Sequence, residues 1–63
     1  MKIIRVDNFN REDVSDVVVA ENISNKVFAE VMLKSLRDTS VRYHDPNWFV
    51  LVEDDYKLHI FTV

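Results

Sequence analysis

Asn25-Lys26-Val27-Phe28-Ala29-Glu30-Val31-Met32-Leu33-Lys34-Ser35-Leu36-Arg37-Asp38 is the stretch on which the fold turns. Phe28, Val31, Met32, Ser35 and Leu36 recur at i, i+3, i+4, i+7 and i+8, the spacing of a helix that buries one stripe. Lys26, Glu30, Lys34 and Arg37 line the opposite side. Lys26–Glu30 and Glu30–Lys34 are opposite charges four residues apart, each pair worth about 0.2–0.5 kcal/mol. The spacing predicts a helix over 25–38, with Ser24 as the N-cap. Val27, Ala29 and Leu33 widen its apolar surface beyond what a lone helix on a small sheet needs.

Outward from this helix the period changes. Lys2-Ile3-Ile4-Arg5-Val6-Asp7 is rich in β-branched residues and reads as a strand. Residues 14–20 read as a second strand, because three successive valines, Val17-Val18-Val19, have stiff side-chain torsions that a helix restricts. The polar connection 8–13 suits an antiparallel hairpin. Beyond the helix, 39–47 is a polar loop with the turn signal Asp45-Pro46. Trp48-Phe49-Val50-Leu51-Val52-Glu53 is a strand apolar on both parities, and Asp54-Asp55 reads as a tight turn into a last strand over 56–63. In that strand Phe61 and Val63 share a parity with Lys57 and His59. The expected fold is therefore α+β, in the order β-β-α-β-β: a small antiparallel-rich sheet with one helix packed on one face, as a single domain over 1–63. The expected core is Ile4, Val6, Phe28, Val31, Met32, Leu36, Leu58 and Ile60.

The chain has 63 residues, no cysteine, one proline and no glycine. Average usage would give about four glycines, so left-handed backbone positions fall to Asn and Asp: Asn8, Asn10, Asn22, Asn25, Asn47, Asp54 or Asp55. Without cysteine there is no disulfide scaffold or cysteine zinc site, and without glycine no phosphate-cradling loop. No apolar run reaches the roughly 18 residues of a membrane span, and Met1-Lys2-Ile3-Ile4-Arg5 lacks a signal peptide's apolar stretch. These features fit a cytoplasmic protein. A domain of this size has a marginal core, and with disulfides absent the stabilising device is self-association or a tight partner.

Catalytic chemistry finds little purchase. His44 and His59 are too few for a metal ligand set, and no cofactor motif is present. The serines lack the flanking glycines of a nucleophile elbow. Glu12/Asp13 and Glu53/Asp54/Asp55 are carboxylate clusters, but a single-layer domain this small is not expected to hold a substrate cleft, and they read as solvated turns. Asn22-Ile23-Ser24 matches the glycosylation triplet without a secretory signal and reads as a chance match. An enzyme is the least expected class.

Binding is the remaining class. The eight Lys and Arg are scattered and the net charge is -3, which disfavours direct nucleic-acid binding. Asp7, Glu12, Asp13 and Asp16 gather at the first hairpin and Glu53-Asp54-Asp55 at the second. An acidic rim around an apolar, aromatic sheet face suits a protein partner with a basic surface. The expected partner-binding set is Phe49, Leu51, Glu53, Asp54, Asp55 and Phe61. Because one helix cannot cover both sheet faces, a homodimer could use the same apolar surplus.

Val6-Asp7-Asn8-Phe9, Val14-Ser15-Asp16, Val19-Ala20-Glu21-Asn22-Ile23 and Asp54-Asp55-Tyr56-Lys57-Leu58 resemble small uncharacterised proteins of bacteriophages and other mobile elements. The resemblance covers most of the chain and carries no known activity. It implies a setting in a bacterial host's cytoplasm, where small acidic phage proteins bind and inhibit host nucleic-acid-handling or defence proteins. The competing expectation is a nucleic-acid-binding or regulatory module that uses its sheet face.

Overall fold

β-branched residues at 2–7 build β1 (Lys2–Asp7), and the valines build β2 (Val17–Ala20). They are followed by α1 (Lys26–Arg42) and β3 (Asn47–Val52) in a computed structural model that describes residues 1–9 and 11–62. The strands form one antiparallel sheet in the order β2-β1-β3, with α1 beside it, so the chain is a small α+β fold. β1 is central. Ile3 pairs with Leu51, Ile4 with Val50 and Val6 with Trp48 on one side; Ile3 pairs with Ala20 and Ile4 with Val18 on the other, with a bulge between them. Ile3 and Ile4 are both fully buried. Consecutive strand residues point to opposite faces, so both faces of β1 are covered at this level.

α1 packs against β3 and more lightly against β1, and does not reach β2. It lies along the outer edge of β3. The Asn47 and Phe49 carbonyls, two residues apart and so turned to one edge, accept from Ser40 Oγ and Arg37 Nε, each at 2.9 Å. The Arg37 guanidinium also sits over the Trp48 ring, 5.0 Å from its centroid. A helix in this position covers an edge that would otherwise be open for pairing.

That docking turns the helix away from its expected orientation. Ala29 and Ser40 are buried and Leu33, Leu36 and Arg37 half-buried, whereas Phe28, Val31 and Met32, expected in the core, are exposed. The polar groups of Ser40 and Arg37 find their partners on the strand edge, and Ala29 allows close approach. Of the other expected core residues Ile4 is buried, Val6 and Leu58 are half-buried and Ile60 is exposed. The Cα atoms span 36 × 30 × 12 Å, a slab thin enough that Ile3, Ile4 and Ala29 are the buried apolar residues among those described.

The expected fourth strand does not form over 56–62. The outer edge of β3 is already occupied by α1, so a hairpin partner has nowhere to pair. After a turn in which Tyr56 N–H donates to the Glu53 carbonyl (3.1 Å), the chain crosses towards β2 instead. Lys2 Nζ holds the start of this crossing by donating to the Asp54 and Tyr56 carbonyls at 3.1 and 3.0 Å. Its far end is held by Asp16 N–H to the His59 carbonyl (2.8 Å) and Phe61 N–H to Ser15 Oγ (2.8 Å). β2 is correspondingly shorter than 14–20, because Ser15 and Asp16 serve this segment.

The helix begins one residue later than expected, and its cap is Asn25, not Ser24. Asn25 Oδ1 accepts from Val27 and Phe28 N–H at 2.9 and 3.2 Å. The helix also runs four residues past Asp38. Thr39 Oγ1 donates to the Ser35 carbonyl and Ser40 to the strand, so residues that read as loop are satisfied within the helix. With no glycine available, the positive-φ positions among the described residues are Asn22 (61°) and His44 (54°). Asn22 is one of the expected asparagines; His44 follows the helix end, where glycine is preferred. Asn10 and Val63, given left-handed and strand roles above, lie outside the described residues.

Two stability outcomes follow from these ends. Asn25→Ala should cost about 1 kcal/mol in denaturant unfolding, while Ser24→Ala should be close to neutral. His44→Gly should stabilise by roughly 0.5–1 kcal/mol, since relief of left-handed strain exceeds the added chain entropy.

Candidate functional site

The crossing of residues 56–62 leaves a trough between that segment and the sheet. It is an open depression of about 790 Å³. Val6 and Val50, which share a sheet face by register, supply apolar floor together with Val14, Ile60 and Phe61. Glu12, Asp7 and Asp16 bring carboxylates, and Tyr56 and His59 bring polar tips.

The carboxylates differ in how free they are. The Asp7 side chain is only 3% exposed and is clamped by Arg11. Arg11 Nε and backbone N–H donate to Asp7 Oδ2 at 2.9 and 2.7 Å, and Nη2 to Oδ1 at 2.9 Å. The side-chain hydrogen bonds from Arg11 hold the Asp7 carboxyl down at about 2 against the opposing effect of burial, and in return raise Arg11 above its ordinary value. Arg11 also lies 5.7 Å from the centroid of the Phe9 ring. Asp16 is buried and accepts from His59 N–H at 2.8 Å. His59 Nε2 is 2.7 Å from the Glu12 carbonyl, an acceptor, so this nitrogen carries the proton. Glu12 is exposed and lines the trough.

The residues expected to bind a partner divide into groups. Phe61 lines this trough. Leu51, Glu53 and Asp55 meet at a second cavity of about 520 Å³, shared with Met1, Lys26, Val52 and Tyr56. Asp54 is exposed and forms an ion pair with the Met1 ammonium at 3.0 Å. Phe49 is half-buried and lines neither cavity; its carbonyl serves Arg37. Tyr56 lines both cavities and joins the two acidic groups. Tyr56, His59 and Ile60 were legible only as members of a strand, and their trough-lining role depends on that strand not forming.

Among the described residues no group of three or more His, Cys, Asp or Glu side chains could hold a metal ion, and no helix is long and apolar enough to cross a membrane. Comparison with protein-family models, curated proteins and solved structures gives no match.

The Asp7–Arg11 clamp makes stability depend on acid. Because the folded-state carboxyl lies at about 2, below its ordinary 3.8, its contribution is complete above that ordinary value and is lost as pH falls through about 2. In urea unfolding, the stability difference between the native chain and Asp7→Asn should therefore shrink steadily as pH is lowered across this window. A difference independent of pH there would show that the clamp does not stabilise the fold through the ionised carboxylate.

Proposed function

We propose that this chain is a small non-catalytic protein-binding domain whose partner presents a basic surface. The observation that supports this reading best is the trough: an apolar floor of Val6, Val14, Val50, Ile60 and Phe61 under an exposed Glu12, joined through Tyr56 to the exposed Glu53 and Asp55. Such a surface suits an apolar side chain flanked by Lys or Arg, because the buried part supplies affinity and the charged rim guides encounter. Three of the titratable side chains that line the trough are engaged in structural hydrogen bonds: Asp7 with Arg11, Asp16 with the His59 N–H, and the His59 ring with the Glu12 carbonyl. The net charge of -3 favours a basic protein over nucleic acid as the ligand. Together with the resemblance to phage and mobile-element proteins, this supports a role as an inhibitor or modulator of a host nucleic-acid-handling or defence protein in a bacterial cytoplasm.

Affinity capture from bacterial lysate, followed by kinetics on the purified captured protein, tests the reading. Phe61→Ala should raise the off-rate. Asp54→Lys with Asp55→Lys should slow association, roughly tenfold at low salt and less as salt screens the charges. Tighter binding of the charge-reversed protein to a single-stranded oligonucleotide, with no protein captured, would replace this reading by the nucleic-acid module.

A further inference from the structure

The segment 56–62 leaves one edge of its backbone without partners. His59 turns both of its main-chain groups to residue 16: its N–H donates to Asp16 Oδ2 and its carbonyl accepts from the Asp16 N–H, each at 2.8 Å. Two residues on, the Phe61 N–H donates to Ser15 Oγ at 2.8 Å. Bonds made to one side at i and i+2 mark extended backbone, in which successive residues turn their N–H and C=O to opposite edges. Leu58 and Ile60 therefore turn theirs to the other edge. Among the described residues, no hydrogen bond reaches the N–H or carbonyl of either. Leu58 is half-buried, and Ile60 is exposed and lines the trough. We propose that this open edge takes an extended segment of the partner as an added strand, one in which Lys or Arg alternates with apolar residues.

This binding mode rests on the trough being a protein-binding site, and it specifies how the partner sits there. Leu58 and Ile60 offer donors and acceptors two residues apart, the repeat of a strand ladder. The outer edge of β3 offers no such row, because Arg37 and Ser40 occupy its Phe49 and Asn47 carbonyls. Side chains of an added strand alternate between two faces. One set then meets the apolar lining of Val6, Val14 and Val50, and the other set stays in solvent. Charge selects that second set. Glu12, Glu53 and Asp55 are exposed around the trough, whereas Arg11, the basic residue of its lining, is bound to Asp7. Lys57 is the one Lys or Arg between residues 53 and 62. The acidic surroundings favour a basic segment and repel an acidic one. In strand addition the main-chain bonds supply affinity, and the alternate side chains supply specificity.

Synthetic peptides test the pairing on the native chain. The probe is acetyl-Lys-Val-Lys-Val-Lys-Val-Lys-amide, set against a counterpart with N-methylated backbone amides and a second with glutamate in place of lysine. In heteronuclear NMR titration the first peptide should shift the Leu58 and Ile60 amides downfield and slow their hydrogen exchange. The N-methylated peptide keeps every side chain and charge but cannot pair, and should bind roughly tenfold or more weakly. The glutamate peptide should bind more weakly still at low salt. Equal binding of the native and N-methylated peptides overturns strand addition and leaves the protein-binding reading standing. So does failure of the Lys-Val peptide to bind at millimolar concentration when the chain still captures a basic protein from lysate; failure of both overturns the two together. Preference for the glutamate peptide overturns the charge assignment. Protection of the Leu58 and Ile60 amides that rises with the concentration of the chain alone gives the edge to a second copy, and overturns the proposal.

Discussion

Two hydrogen bonds on the outer edge of β3 organise this molecule. Arg37 Nε on the Phe49 carbonyl and Ser40 Oγ on the Asn47 carbonyl tie α1 to the strand at points separated by one turn of helix and two residues of strand. Their first effect is to end the sheet. An antiparallel strand needs a row of free backbone groups to pair with, and here side chains occupy two of those acceptors. Residues 56–62 are consequently excluded from β3 and pass across to Ser15 and Asp16. Their second effect is rotational. Placing Arg37 and Ser40 inward carries Leu33, Leu36 and Ala29 inward with them, and carries Phe28, Val31 and Met32 out.

The trough and the exposed helix stripe are both consequences of that one arrangement. The trough exists because the C-terminal segment crosses the Val6/Val50 face as an irregular strap, which fills space less completely than a paired strand. The helix stripe exists because the apolar residues outnumber the places the sheet edge can bury. The surfaces share no residue. β2 is treated differently. Its valines are also exposed, but the strand is four residues long and Asp16 and Glu21 flank it, which are ways natural edge strands avoid indiscriminate pairing.

Polar side chains do structural work that glycine and a larger apolar core do elsewhere. Asn22 and His44 take the left-handed backbone positions. Asn25 caps the helix, Asp45 Oδ1 accepts from the Asn47 N–H in the turn into β3, Asp7 Oδ2 accepts from the Arg11 N–H, and Asp16 Oδ2 accepts from the His59 N–H. Much of the acidic cluster at the first hairpin is thus committed to the backbone or to Arg11. Nine of the eleven acidic residues, Glu12, Asp13 and the run Glu53-Asp54-Asp55 among them, are exposed.

By itself the sequence determined the α+β class, the antiparallel pairing of β1 with β2 across 8–13, the presence of β3, and a helix of the right place and period. These depend on local preferences: β-branched runs, a 3.6-residue repeat, and turn residues between them. It also determined that apolar surface would be left over, because seven aromatics and many valines exceed what a chain of this length can bury. Only the tertiary structure decided which residues those are. The choice between Phe28/Val31/Met32 and Ala29/Leu33/Ser40 as the inward face is a competition between two adjacent stripes of one helix. It is settled by whether an outside acceptor exists for Arg37 and Ser40. That acceptor is the edge of β3, distant in sequence, and its occupation is also what turned a fourth strand into the wall of a trough.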